Sequence, residues 1–147
     1  MNRPVAIVSV TNDLTTDQRV HRSCTTLAGI GYDVLLVGRK RPQSLLLEPR
    51  KYRCHRMQLL FEKGPLFYME FNIRLFLFLI SNNFNLLVSN DLDTLPATYL
   101  AWKIGKRFRK STDHQGPDRK LEPIRLLHDC HEYFRGVPEL VGRPFVT

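Results

Sequence analysis

Residues able to do chemistry crowd into one stretch near the end of the chain: His128, Asp129, Cys130, His131 and Glu132. They follow at once on a short apolar run, residues 124–127. Two earlier stretches repeat the arrangement. Thr11, Asn12 and Asp13 follow the valine-rich run 4–10, and Asn90, Asp91 and Asp93 follow the run 85–89. Taken singly, Asp13, Asp91, Asp93, Asp129 and Glu132 could each cap a helix, and for Asp93 capping is the favoured role. Their recurrence just after strand-like runs is the informative feature. In open α/β sheets, ligands bind outside the carboxyl ends of the strands. Three such loops at one sheet edge would therefore form a site. His128, Cys130 and His131 are metal-ligand types, but no second Cys or His pair stands at a spacing suited to zinc, so no metal is expected. Cys130 as a nucleophile would need a base held nearby by the fold, and it serves equally as a small filler beside the strand.

The elements that must position these residues read as alternating strands and helices. Residues 4–10 suit a central parallel strand covered on both faces. Residues 12–16 read as a polar loop, with Thr16 as N-cap of a helix whose inward face carries Val20, Cys24, Leu27 and Ala28. Gly29 and Gly31 stop that helix. Residues 34–37 form a second buried strand, and 38–50 a loop with Arg39, Lys40 and Arg41. The run 51–60, with Arg53, His55, Arg56 and Gln58, reads as an edge strand. Gly64 and Pro65 open a helix over about 66–81 that is apolar almost all round, with Glu70 and Arg74 placed to pair. After the strand 85–89, Asp91 or Asp93 caps a helix with Pro96 in its first turn and Leu100, Ile104 and Phe108 along one face. Lys103, Lys106 and Arg107 lie near its C-terminus, where the dipole favours cations. Residues 109–123 read as a charged surface loop, an insertion without periodicity. Residues 124–127 form a buried fifth strand, with 128–133 as its loop. The expected fold is an α/β Rossmann-like, doubly wound parallel sheet with strand order 3-2-1-4-5.

Composition bears on partners. The 147 residues suffice for one domain with a real core. The net charge of +8 and the pI of about 9.8 favour anionic ligands, nucleic acid or an anionic membrane surface, with a solvated basic face as the plain alternative. The 66–81 helix reads first as a buried or sheet-packed helix; the alternative is a face that meets a membrane or an acceptor lipid, which with the basic residues would draw the chain to anionic membranes. No uninterrupted apolar segment reaches the roughly 18 residues that a membrane span needs. The three cysteines and the absence of a signal peptide suit a reduced, cytoplasmic setting, with the protein peripheral at the inner face of the membrane. Aromatics are not interleaved with the basic clusters and no helix-turn-helix or zinc-finger spacing is present, so no nucleic-acid partner is expected. Neither a G-x-G-x-x-G nor a Walker A sequence occurs, which argues against a dehydrogenase or a phosphate-loop NTPase.

Five segments in order, VTNDLTTDQRVHR, GYDVLLVGRK, FEKGPLFYMEFNIRLFLFLI, SNDLDTLPATYLAWK and HDCHEYFRGVPELVGRPFV, resemble the N-terminal domain of family 4 glycosyltransferases. The likeness spans nearly the whole chain apart from 109–123. It implies one half of a GT-B architecture, in which two Rossmann-like domains face each other across a cleft. The N-terminal domain binds the acceptor and the C-terminal one the nucleotide-sugar donor, and catalysis is retaining and metal-independent. On this resemblance His131 would be the catalytic residue, touching the donor sugar or the reacting hydroxyl. Asn12, Asp13, Arg19, Asn90, Asp91, Asp129 and Glu132 would bind substrate. The partner would be a glycan or lipid-linked acceptor, and no cofactor is expected in this half; a nucleotide sugar would bind only with the C-terminal domain. Against the family pattern, that domain is absent, the N-terminal domain looks cut short after GRPFV, and TNDLTTDQR stands where a glycine-rich loop is expected. The chain alone is therefore expected to be inactive, with the missing half supplied in cis or in trans. The competing reading is a non-enzymatic basic Rossmann-like module that binds an anionic ligand or a membrane surface.

Overall fold

The structure, a computed structural model, describes residues 3–15, 17–112 and 123–129, with backbone only for 108–112. Five parallel strands form one sheet in the order β3-β2-β1-β4-β5. They are β1 Val5–Asp13, β2 Asp33–Lys40, β3 Arg53–Gln58, β4 Leu86–Ser89 and β5 Arg125–His128. Helices α1 Gln18–Gly29, α2 Gly64–Ile80 and α3 Leu95–Thr112 lie in the connections β1 to β2, β3 to β4 and β4 to β5, a 3-10 turn, Leu92–Thr94, precedes α3, and the connection from β2 to β3 has no helix. The fold is the expected α/β Rossmann-like one, and the strand order is the expected order.

Alternation along the central strands builds two cores. Ile7, Leu35, Val37 and Leu87 face α2 and α3, while Ala6, Val8, Val34, Leu36 and Val88 face α1 with its buried Val20 and Cys24. A central strand covered on both faces has no reason to alternate polar with apolar, which is why β1, β2 and β4 read as continuous apolar runs. Among the described residues β3 bonds to β2 alone, and it exposes Arg53, His55 and Gln58 while burying Met57. Burying Phe67, Phe71, Leu75 and Leu79, four residues apart, seats α2 on the sheet. Arg74 Nε donates to Glu70 Oε1 at 2.7 Å, the pairing expected from their spacing.

Several boundaries differ from the sequence reading. β1 does not stop at Val10. It runs on to Asp13 through an irregularity: while β1 advances from Ser9 to Asp13, β2 advances only from Val37 to Arg39. Such a bulge re-aims side chains at the end of a strand. Gly38 makes room for it, since a Cβ there would meet the Leu14 side chain and lie 3.0 Å from the Asn12 carbonyl oxygen. β2 likewise extends to Lys40, so Arg39 and Lys40 are strand residues rather than loop residues. The cap of α1 is Asp17, whose carboxylate accepts from Val20 N at 3.2 Å; Thr16 lies outside the described residues. Gly31, with φ of 101°, reverses the chain after α1.

Helix α3 departs most from expectation. Its inward face is Ala97, Thr98 and Ala101, all buried, whereas Leu100 is 51 % exposed. Small residues let the helix lie close to the sheet and to α2, so the larger side chains were the misleading signal. The side chain of Phe108 is outside the described residues. α3 continues to Thr112, so the stretch read as a loop from 109 begins as helix; residues 113–122 are not described. β5 was expected to be buried and to end at 127. Instead it includes His128, and Arg125 and Leu127 are exposed. Trp102 Nε1 donates to the Ile124 carbonyl at 3.1 Å and ties α3 to the start of β5.

Candidate functional site

Because all five strands are parallel, their carboxyl ends share one rim. The strand order reverses between β1 and β4, which makes the crevice between their ends the ligand position typical of this architecture. Register places Ser9, Ser89 and His128 in one row across β1, β4 and β5. Ser9 and Ser89 are fully buried, and each hydroxyl is used locally. Ser9 Oγ donates to the Val88 carbonyl at 3.1 Å, and Ser89 Oγ to the Asp91 carbonyl at 2.9 Å.

Above that row Asp91 reaches across to β1. Its Oδ2 accepts from both the backbone N–H and the hydroxyl of Thr11, each at 2.7 Å. The bulge in β1 presents Thr11 for this contact. Asp91 stands at the N-cap position of the 3-10 turn but makes no capping hydrogen bond with its side chain. The capping role expected of it is replaced by a strap across the crevice.

Asn90 is 3 % exposed. Its Nδ2 donates to the Ser9 carbonyl over a long 3.4 Å, and its Oδ1 is buried with no hydrogen-bond partner among the described residues. An orphaned buried acceptor costs about 1–3 kcal/mol. Here it stands at the switch point between β1 and β4.

On the β5 side, His128 Nδ1 lies 3.2 Å from the Ser89 carbonyl oxygen. A carbonyl only accepts, so Nδ1 carries the hydrogen. In the neutral ring Nε2 is then the acceptor, the tautomer needed to take a proton from a hydroxyl. The Ser89 oxygen also accepts from Asp129 N at 2.8 Å, which fixes the start of the loop after β5.

The expected site residues divide accordingly. Asn90 and Asp91 stand together at the switch point between β1 and β4, and the Asp129 N–H bonds to the Ser89 carbonyl at 2.8 Å. Asn12 is exposed on the β1 bulge. Asp13 belongs to a separate network, with Oδ1 accepting from Thr15 N at 3.2 Å and Thr15 Oγ1 at 3.1 Å, and Oδ2 accepting from Ser44 Oγ. Burial alone would raise its pKa, but the hydrogen bonds from Ser44 and Thr15 and the charge of Arg56 outweigh it and hold the carboxyl below its ordinary value. Arg19 is a surface residue of α1, 3.7 Å from Asp17. His131 and Glu132 lie outside the described residues. His128 and Thr11 belong to the polar stretches singled out from the sequence, but neither they nor Ser89 were among the residues expected to bind substrate. The signal for His128 was its place as the last residue of a strand rather than the first of a loop. Among the described residues no three His, Cys, Asp or Glu side chains are grouped to hold a metal ion.

The other half of the rim is basic. A cavity of about 570 Å³ at the carboxyl ends of β2 and β3 is lined by Arg39, Lys40, Arg41 and Arg74, with Glu62 opposite. A second, of about 630 Å³, continues along β3 past His55 and Arg56 and shares Lys40, Gln58 and Arg74 with the first. Beside them α2 exposes an apolar stripe, Leu66, Met69, Ile73, Leu77 and Ile80. No helix among the described residues is long and apolar enough to cross a membrane. Compared with protein-family models, curated proteins and solved structures, the chain finds no match in any of the three. The likeness to glycosyltransferases thus stands on the five segments quoted above.

Proposed function

We propose that this chain is the acceptor-side half of a retaining, GT-B type glycosyltransferase that moves a sugar from a nucleotide sugar to a glycan or lipid-linked acceptor. The observation that carries the reading is the crevice between β1 and β4. There the orphaned Asn90 Oδ1 and the strap from Asp91 to Thr11 stand one strand from His128. Carbohydrate hydroxyls are donors that match a fixed carboxamide oxygen and an imidazole acceptor. The reading requires a donor-side domain in cis or in trans. Holding donor and acceptor in reactive geometry is worth roughly 7–11 kcal/mol of barrier, so one wall of the cleft alone turns nothing over.

In the completed enzyme His131 contacts the donor sugar or the reacting hydroxyl, and His131→Ala lowers turnover without loss of fold. For the chain alone, the test is NMR titration with a panel of oligosaccharides, alongside UDP- and GDP-sugars. Glycans should shift the amides of Thr11, Asn90 and His128, and nucleotide sugars should not. Shifts confined to other residues, or tight nucleotide-sugar binding, would count against the assignment.

A second reading, a basic module that docks on anionic membranes at the inner face, is favoured by the apolar stripe on α2 beside Arg74 and the basic groove. The two readings are compatible where the acceptor is lipid-linked.

A further inference from the structure

The basic groove at the carboxyl ends of β2 and β3 is built for more than solvation. Arg39 is held in place from two sides. Its guanidinium lies over the Phe67 ring, 4.6 Å from the centroid, and Nη1 donates to the Glu62 carbonyl at 3.3 Å. Its Nε is buried and has no hydrogen-bond partner among the described residues. Leaving such a donor without an acceptor is costly unless something else supplies one. Lys40 and Arg41 follow it directly in sequence, and all three line the same cavity. None of the three has a carboxylate within 4.0 Å among the described residues, where the ion pairs are Arg19–Asp17, Arg53–Asp33 and Arg74–Glu70.

Arg74 enters from α2. Glu70 orients it, and the same carboxylate accepts from Leu60 N and Phe61 N, which pins the segment after β3 against the helix. Four cations thus line one cavity whose lining holds a single carboxylate, Glu62; Arg74 is paired with Glu70, and Arg39, Lys40 and Arg41 carry the excess charge. Like charges lining one cavity repel, and an anionic ligand would relieve that repulsion. A carboxylate ligand would engage one arginine fork. A phosphate offers more charge and more acceptor oxygens, and arginine suits it geometrically.

We infer that this cavity is a binding site for a phosphate or diphosphate ester, held by Arg39, Lys40, Arg41 and Arg74. In the transferase reading, on which this assignment of the ligand's identity rests, the phosphate belongs to the acceptor. β2 stands three strands from β5, about 14 Å at ~4.8 Å per strand, so a phosphate here leaves space for the reacting sugar near His128. The exposed Ile73 and Leu77 flank Arg74 on α2 and suit the start of a lipid chain.

The test uses the purified chain and inorganic pyrophosphate, followed by calorimetry. Binding should saturate, weaken at least about tenfold in Lys40→Gln/Arg41→Gln, and stay within about twofold in a control pair, Arg3→Gln/Lys51→Gln. The control pair removes equal charge beside a different cavity. No saturable binding, or equal loss in both pairs, overturns the inference. Protection of Lys40 from acylation by pyrophosphate, read by mass spectrometry on the wild-type chain, does not depend on how the variants fold, and absence of protection also overturns it. Vesicles of phosphatidylcholine with and without phosphatidic acid separate the sources. Binding to the anionic vesicles that pyrophosphate displaces identifies a lipid phosphate. Pyrophosphate binding with no vesicle binding identifies a soluble ester. No sugar transfer is measured, so failure here is distinct from failure of the transferase reading.

Discussion

Asp91 and Thr11 lie eighty residues apart in sequence, yet one carboxylate oxygen accepts both the N–H and the hydroxyl of Thr11 at 2.7 Å. The pair spans the point where strand order reverses, so it joins the two halves of the sheet there. Asp91→Ala leaves the Thr11 N–H without its partner and should cost about 1–3 kcal/mol, measured by urea unfolding. Thr11→Val keeps the backbone bond and should cost less. Equal losses in the two variants would show that the backbone bond contributes nothing.

Asn90 makes the opposite prediction. Among the described residues its Oδ1 has no partner to lose, and its Nδ2 bond is long. Asn90→Leu, similar in size, should therefore leave stability within about 1 kcal/mol of wild type. The glycan-induced amide shifts at Thr11 and His128 should disappear in the same variant. A large loss of stability would make Asn90 a structural residue.

Much of this was legible in the residues, for a physical reason. Central parallel strands are apolar on both faces, so runs such as 4–10, 34–37 and 85–89 announce themselves, and a charged run such as 51–60 can only be an edge. The carboxyl rim was legible as a location, because polar residues after buried strands mark that edge. Its wiring was not. Whether Asp91 caps its own turn or reaches Thr11 depends on a bulge set by Gly38 and Leu14, a contact between strands that no local pattern encodes. The inward face of α3 was misread because Leu100 carries more apolar surface than Ala97 or Ala101, while close packing selects the smaller side chains.

The carboxyl of Asp13 should give stability a pH signature. Its folded-state pKa lies below the ordinary 3.8, because the hydrogen bonds from Ser44 and Thr15 outweigh the effect of burial. A group with a lowered folded pKa stabilises fully above its unfolded value and loses that contribution as pH falls through the folded one. Asp13→Asn should therefore be less stable than wild type at pH 7, and the gap should close below about pH 4. Thermal melts of both proteins from pH 7 to pH 2.5 check this. A gap that persists at the acid end would mean that the carboxamide packs poorly, independent of charge.

The two faces of α2 should behave as different materials. Phe71 is fully buried in the core beneath the sheet, so Phe71→Ala opens a cavity and should cost about 3–5 kcal/mol. Ile73 and Leu77 are 53 % and 52 % exposed on the outer face, where substitutions usually change stability by less than about 0.5 kcal/mol. Ile73→Ser/Leu77→Ser should thus melt close to wild type. If the stripe rests in the interfacial region of an anionic bilayer, the same double variant should lose most of its co-sedimentation with phosphatidic acid vesicles, because binding strength there scales with buried apolar area plus charge attraction. Raising salt should weaken the wild-type interaction, since the screening length falls from about 8 Å at physiological ionic strength to about 3 Å at 1 M. Vesicle binding that is indifferent both to the serines and to salt would leave the outer face of α2 without a role at the membrane.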